Sequence, residues 1–429
     1  MFDASLYQLT VGDWAANGVI LVVTAALLFF FSRPLLRESS LWRATVTPLA
    51  SIIGSGFLVV APLLGFTVGN WALVAVAAIV ALAYLVGGAI RYNIAHVESI
   101  IESDEPSAGA KGVIRWLGRA AKLSLTLAYV IAVAFYLKLL GAFVMRLFDV
   151  DGAGIGNWIA TALALFIGGF GLWRGLGLLE SLEKFTVDGK LSIIGGLLTG
   201  LLIFNAGLLM RGDWSLPDLQ TKWSFDTVRQ LLGAFLIVQG FETSRYLHGV
   251  YPPEHRIRTM RLAQGIAAVV YIVFVGLSTV LLDSFETVSE TGIIDLSSRV
   301  AYVLPFALIA GAAMSQFSAA VADTVSTGGL VEEASKGRVK RRWIYACTTG
   351  LAVVLLWTVD IFGVIAYASR AFALYYAIQC AMAAIHAGYS RHNRRSPGRS
   401  VWFALLALLM LATAFFGVPA ETAGEHGGQ

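Results

Sequence analysis

The chain has 429 residues, of which 57% are hydrophobic and only 14% charged, with a mean hydropathy of +0.74. Water-soluble chains carry about 25% charged residues. This composition therefore cannot clothe a water-facing surface, and it excludes a cytosolic enzyme, a nucleic-acid binder, a secreted disulfide scaffold and a disordered tail protein. The formal net charge of +4 does not point to nucleic acid; the information lies in where the positive charges fall.

A bilayer-spanning helix needs about 20 mostly apolar residues, and charge-free runs of that order recur along the chain. The first is Trp14–Ser32; the residues before it hold no Lys or Arg, so no secretory signal is read there. Ala44–Ile90 is long enough for two spans joined near Gly65–Asn70. Tyr92–Lys122, of mixed charge, reads as an amphipathic linker before the span Leu123–Phe148. Gly152–Trp173, Leu191–Met210, a charge-bearing span from about Thr227 to Val250, Leu262–Leu282 and Val300–Ala322 follow. Trp343–Val359, Ala371–Ser390 and Ser400–Ala420 complete the series. That is about twelve helices of spanning length, the pattern of an all-α integral membrane protein. The alternating strands of an outer-membrane barrel, about 10 residues each, do not occur.

Positive charge sets the orientation. With the N-terminus outside, one side of the membrane collects Arg33, Arg37 and Arg43, the Arg91–Lys122 group, Arg174 and Lys184. The Arg245–Arg261, Lys336–Arg342 and Arg391–Arg399 groups fall on that side too. The other side holds Arg146, Arg211, Lys222, Arg229 and Arg299, beside acidic stretches such as Asp283–Asp295 and the tail after Pro419. Lys138, Lys190 and Arg370 lie within spans. The expectation is a multi-pass protein of the cell inner membrane with both termini outside. Cys347 and Cys380 lack metal-ligand spacing and read as buried small hydrophobes. No metal centre, cofactor or nucleotide motif is read from the sequence.

Two spans carry small or polar residues at mid-depth: Ser51-Ile52-Ile53-Gly54-Ser55-Gly56-Phe57, and Gln239-Gly240-Phe241-Glu242-Thr243. They are five helices apart, and interrupted helices at matching places in two halves point to a transporter built from inverted repeats. A break leaves backbone groups unpaired, which lipid tolerates only where they line a cavity. Half-helix N–H groups would then face an anion and half-helix carbonyls a cation. Taken singly, such glycines are more often packing residues.

The segments SIIGSGFLVVAPLLG, LESLEKFTVDGKLSIIGGLLTGLL and GFETSRYLHGVYPPEHRIRTMR resemble the first, fifth and sixth helices of the amino acid–polyamine–organocation (APC) transporters. The resemblance covers about residues 44–390. It implies a LeuT-type core of two inverted five-helix repeats, about 44–211 and 226–390, working by alternating access. An extra N-terminal helix and loop (1–43) and a C-terminal helix with a short tail (391–429) lie outside it. It also implies that Ile53, Gly54, Ser55, Gly56 and Phe57, with Val238, Gln239, Gly240 and Phe241, surround the substrate. The metal-transporting relatives' Asp-Pro-Gly motif is absent from the first helix.

An ionisable residue inside a span costs at least about 2.5–3.5 kcal/mol, so each is a functional candidate. The resemblance places Lys190 where sodium sits in sodium-coupled relatives, and a lysine withdrawn from water gives up its proton readily; the bland alternative is a snorkelling helix-end lysine. Ser315 and Ser318 share a helical face and either meet Lys190 or pack helices. Glu242 either relays a proton or braces the broken helix. Tyr129 and Tyr136, seven apart on the third helix, either face substrate or pack. Asp323 and Arg370 are expected to pair, whereas Lys138 reaches either Glu242 or the outer face. The function expected is secondary transport of a small organic solute, an amino acid or amine, coupled to protons through Lys190. Sodium coupling through Ser315, Ser318 and first-helix carbonyls, or a transport-incompetent sensor on the same fold, are the alternatives. A membrane enzyme is not expected, because no nucleophile, base and orienter cluster in the sequence.

Overall fold

A computed structural model describes residues 11–103, 109–148, 150, 153–219, 223–247, 250–284, 291–389 and 397–418. The described residues are helical throughout their ordered elements. The chain runs α1 (Val11–Ser32), α2 (Pro34–Arg37), α3 (Ser40–Val68), α4 (Ala72–His96), α5 (Glu98–Glu102), α6 (Ala110–Phe148), α7 (Ala153–Arg174) and α8 (Gly177–Arg211). It continues with α9 (Phe225–Gly233), α10 (Pro253–Ser278), α11 (Gly292–Val300), α12 (Leu304–Ala334), α13 (Arg341–Thr358), α14 (Ile361–Tyr389) and α15 (Pro397–Phe416). Nine stretches of the described residues are long and apolar enough to cross a membrane, and one of them, Ser40–His96, contains both α3 and α4.

Apolar sequence does not say which helices are central, but burial does. Of its most apolar 18 residues α6 buries 78%, whereas α1 buries 6%. Accordingly α6 runs through the bundle between α7, α12, α13 and α14, and α1 lies outside against α8. With apolar lipid outside, hydrophobicity does not drive such helices together, so close backbone approach at small residues does much of the work. A Cβ on Gly195 or Gly196 of α8 would lie 2.2 Å from Leu27 or Thr24 of α1, and one on Gly141 of α6 would lie 2.5 Å from the Gly156 carbonyl of α7. The two cysteines divide: Cys380 is buried as expected, but Cys347 lies on the exposed face of α13.

Charged residues interrupt hydropathy without interrupting helices. The stretch read as a linker before the span Leu123–Phe148 is largely helix, with α6 starting at Ala110 and α5 packed against it. Lys111, Arg115, Arg119 and Lys122 thus extend a helix beyond its apolar part. Likewise α8 begins at Gly177 and contains Lys190, and α12 runs on to Ala334 past Asp323.

The two glycine-bearing segments meet, but only one is broken. After α9 the chain tightens into a 3-10 turn at Ala234–Val238, passes through Gln239-Gly240 and resumes as a second 3-10 segment, Phe241–Leu247. Gly240 has φ +113, and a Cβ there would lie 2.5 Å from Ser51 Oγ and 2.7 Å from Ile52 N of α3. Both the conformation and the contact require glycine. Across the same seam, a Cβ on Gly56 of α3 would lie 2.4 Å from Ile237 Cα. Contrary to the expectation of two matched breaks, α3 continues without interruption from Ser40 to Val68, with Pro48 and Pro62 inside it. Its small residues serve as a notch that admits the broken span. The N–H groups of Ser55, Gly56 and Phe57 are helical, so in this conformation they do not form the anion-binding half-helix end; the Ser55 side chain lies outside the described residues.

Candidate functional site: a cavity ending on Lys190

The carbonyls of α3 carry extra donors along the seam. Lys190 of α8 donates from Nζ to the Ala50 carbonyl at 2.8 Å and to Ser315 Oγ of α12 at 3.2 Å. The Tyr271 hydroxyl of α10 lies 3.0 Å from the Ile52 carbonyl and 2.8 Å from that of Ile237, tying α3 to the broken span. Gln316 of α12 donates to the Gly54 carbonyl at 3.3 Å. Three helices therefore supply polar hydrogens to one short stretch of α3. Lys190 is only 8% exposed, and a Cβ on Gly54 would stand 3.2 Å from its ammonium. The missing side chain at Gly54 is what leaves room for that nitrogen.

A cavity of about 730 Å³ runs from Lys190 and Ser315 to the far end of α12 and the start of α13, where Glu332, Glu333, Lys336 and Arg341 form its mouth. Thr47, Ala50 and Ser51 of α3 line one wall, Tyr129 of α6 and Thr243 and Tyr246 of the broken span another. The third wall is one face of α12, on which Ser315, Ser318, Ala322, Asp323, Ser326 and Gly329 recur at the helical spacing. Beyond Lys190 and Ser315, Ile53 and Phe57 help to line a second void of about 20 Å³.

The break is braced from inside. Glu242 is fully buried; its Oε2 accepts from the Gly240 N–H at 2.9 Å and from the Tyr376 hydroxyl of α14 at 2.6 Å. The carboxylate thus replaces the helix bond that Gly240 lost. Thr243 donates to the Gly240 carbonyl at 2.7 Å. Gln239 donates to the Tyr136 hydroxyl at 3.5 Å, and Val238, Phe241 and Tyr136 are buried in the core around the break. Tyr129 differs from Tyr136: it lines the cavity, its hydroxyl is buried and has no hydrogen-bond partner among the described residues, and its ring packs edge-on to Phe372 at 5.9 Å.

The remaining intramembrane charges have structural partners. Lys138 donates from Nζ to the Leu356 and Val359 carbonyls at 3.1 and 2.5 Å, capping the end of α13 opposite the basic Lys336–Arg342 turn. Carbonyls at a helix C-terminus have no intrahelical donor and attract a cation. Arg370, expected to pair with Asp323, donates instead to the Gly417 carbonyl at 3.3 Å. Their depths explain it. Arg370 follows the start of α14 by nine residues, about 14 Å, whereas Asp323 follows the start of α12 by nineteen, about 28 Å. Sequence reasoning also missed Asp188, which is 4% exposed and accepts from Arg37 Nη2 of α2 at 2.6 Å, two residues before Lys190. It missed Tyr271, Tyr376 and Gln316 as well, which no local motif marks.

The sequence that builds this bundle matches a known family. A family profile described as APC superfamily transporter covers residues 34–417. The chain belongs to that superfamily of transporters. A protein of Aquifex aeolicus (strain VF5), described as uncharacterized, is 41% identical over 420 residues, covering 97% of this chain and 99% of that protein. Among solved structures, a mutant of the Eremococcus coleocola manganese transporter shares the fold at a TM-score of 0.58 and 12% identity, covering 91% of this transporter and 90% of that chain. The same manganese transporter bound to an aromatic bis-isothiourea substituted compound gives 0.59 at 12% identity with the same coverage. The family and its structural neighbours are transporters rather than enzymes.

Proposed function

We propose that this protein is a secondary active transporter that moves a small organic solute, an amino acid or an amine, by alternating access, with a proton as coupling ion. The observation that carries the reading is Lys190, whose ammonium joins the Ala50 carbonyl of α3 to Ser315 of α12 at the end of the cavity. A protonated Lys190 donates to both neighbours; a neutral amine is a much weaker donor, and the seam between α3, α8 and α12 loosens. Protonation then biases which arrangement of these helices is populated, as coupling requires. A sodium ion in this place would need the same carbonyl and hydroxyl and would sit against the ammonium, so the proton reading is preferred to sodium coupling.

In this reading the solute occupies the cavity, with Tyr129 and Ser318 on its walls and Lys190 and Ser315 at its end. Glu242 holds the hinge at Gly240. Ile53 to Phe57 and Tyr136, Val238, Gln239 and Phe241 come to the solute when the cycle opens the seam, and N–H groups at Ser55 to Phe57 serve a carboxylate only if α3 unwinds in another state. The full architecture proposed has twelve crossings. The Ser40–His96 stretch counts as two, and the broken span and α13 add to the stretches that qualify by length and apolarity alone. They form two inverted five-helix repeats over about 44–211 and 226–390, flanked by α1 and α15. The positive-side loops are cytoplasmic, so the cavity opens inward and both termini lie on the outer side of the inner membrane. Manganese, the cargo in the structural neighbours' name, is not carried over, because the likeness at 12% identity is one of fold.

The test is accumulation in proteoliposomes. A proton gradient imposed without sodium should drive uptake of an amino acid or amine above equilibration. Uptake that follows only a sodium gradient, or none at all under either gradient, contradicts the proposal.

A further inference from the structure

We infer that the groove between α4 and α10 binds an anionic phospholipid, whose phosphate bridges Arg91 and Arg261 on the basic side of the membrane. The inference does not depend on which solute or ion is carried, and neither helix lines the cavity.

A cation withdrawn from water is costly unless an anion or a full set of hydrogen bonds compensates it. Arg91 of α4 is only 7% exposed. Its guanidinium donates to the Gln264 side chain of α10 and, at 3.0 Å, to the Tyr84 carbonyl, and it stacks on the Tyr84 ring at 4.5 Å. Two of its five N–H donors are thereby used. Among the described residues no carboxylate pairs with it, and Glu98, seven residues on, is held by Arg256. Arg261 of α10 adds to the charge instead of relieving it. It lies within electrostatic range of Arg91, is exposed, and has no ion-pair partner among the described residues. Glu254, the acidic residue of the same helix, stands seven residues away, about 10 Å, and pairs with neither arginine. Two such cations at one seam are what a phosphate neutralises, through charge-assisted bonds to both guanidiniums.

The seam is open where that group would enter. A Cβ on Gly265, one turn from Arg261, would meet nothing within 4 Å, and one on Gly88, three residues from Arg91, would meet only the Arg91 guanidinium, at 3.7 Å. Arg258, Arg261 and Gly265 recur at helical spacing and are all exposed, so they share the outer face of α10. Arg91 lies five residues, about 8 Å, from the basic-side end of α4, and Arg261 eight residues, about 12 Å, from that of α10. Deeper along the same helices the exposed side chains are apolar: Leu85 on α4, Val269 and Val273 on α10. A free anion would leave that surface uncovered, whereas a phospholipid matches both parts, headgroup to the arginines and acyl chains to the apolar faces. Basic pockets between helices at this level hold anionic headgroups. Bound there, the lipid pins α10 to α4. Because α10 also carries Tyr271, whose hydroxyl ties α3 to the broken span, the lipid steadies the helix that holds that seam together.

The experiment uses the full-length protein, purified and delipidated in detergent, with melting followed against rising phosphatidylglycerol, phosphatidylcholine or glycerol 3-phosphate. Phosphatidylglycerol should stabilise at lower concentration than phosphatidylcholine, and glycerol 3-phosphate should not stabilise. Arg261→Ala should melt like the natural protein without lipid, yet need about fivefold or more phosphatidylglycerol for half-maximal stabilisation, the worth of one arginine at an anionic surface. Arg174→Ala, which removes an exposed arginine stacked on Trp173 on the same side of the membrane, should respond as the natural protein does. If Arg261→Ala does not fold, Arg261→Gln and the comparison of the two lipids on the natural protein decide. Equal stabilisation by phosphatidylcholine, or an unchanged phosphatidylglycerol dependence in Arg261→Ala, overturns the inference. Equal weakening by Arg174→Ala overturns it in favour of diffuse surface charge, and stabilisation by glycerol 3-phosphate as strong as by the lipid overturns it in favour of a free-anion site.

Discussion

Gly240 offers the sharpest test of the seam between α3 and the broken span. Its φ of +113 lies where L side chains are rarely found, and an added Cβ would meet Ser51 and Ile52 of α3 at 2.5–2.7 Å, including backbone atoms that cannot swing aside. Gly56 lies on the same seam in ordinary helical geometry, where a Cβ would meet the Ile237 backbone at 2.4 Å. Gly56→Ala therefore carries overpacking alone, about 1–3 kcal/mol. Gly240→Ala adds backbone strain of about 1–3 kcal/mol, for a total of roughly 2–6 kcal/mol. Gly265 on α10 has nothing within 4 Å of a Cβ, so Gly265→Ala should be neutral or stabilise by up to about 1 kcal/mol. Unfolding in mixed detergent micelles should rank the variants Gly240→Ala least stable, then Gly56→Ala, then Gly265→Ala beside the natural protein. A Gly240→Ala protein as stable as Gly265→Ala would refute the claim that this glycine is required by both conformation and contact.

Two further expectations concern charge. Arg256 is 2% exposed and holds Glu98, 12% exposed, through two bonds while also donating to the Arg245 carbonyl; Arg256→Ala should cost about 3 kcal/mol because it leaves a largely enclosed carboxylate and a backbone carbonyl without their donor. Arg146→Ala, at a pair whose side chains are 39% and 54% exposed, should cost at most about 1 kcal/mol, and equal melting of the two variants would contradict this. Lys138→Met keeps the length of the side chain but uncaps α13, at a cost of about 1–2 kcal/mol. Faster amide exchange in the last turn of α13 should accompany it, and unchanged exchange would show that the cap is idle.

How far the sequence led depends on whether a feature is local. Span lengths, the basic side of the membrane and the two glycine segments are local patterns, and the glycine segments do face each other in the fold. The meeting of Lys190, Ser315 and a first-helix carbonyl came from family resemblance, since no spacing in one chain brings residues 50, 190 and 315 together. What sequence could not show was the state of α3. Gly-Ser-Gly serves equally as a notch or as a break, and only the contact between Gly56 and Ile237 distinguishes them. The donors Tyr271, Gln316 and Tyr376 were invisible for the same reason: each is one polar residue on an apolar helix, and its partner depends on helix rotation. Depth misled in turn, because Asp323 and Arg370 are both mid-span charges in the sequence yet differ by about 15 Å along their helices.

The central claim is that the proton on Lys190 couples the seam to transport, and one comparison addresses it directly. Proteoliposomes carrying the natural protein or Lys190→Ala would be assayed both for exchange of internal for external solute and for accumulation driven by a proton gradient. Exchange needs only a working cavity and hinge, whereas accumulation needs the titrating ammonium. The account predicts that Lys190→Ala retains exchange and loses gradient-driven accumulation. Accumulation by Lys190→Ala at the natural level, with the same dependence on the proton gradient, would contradict it.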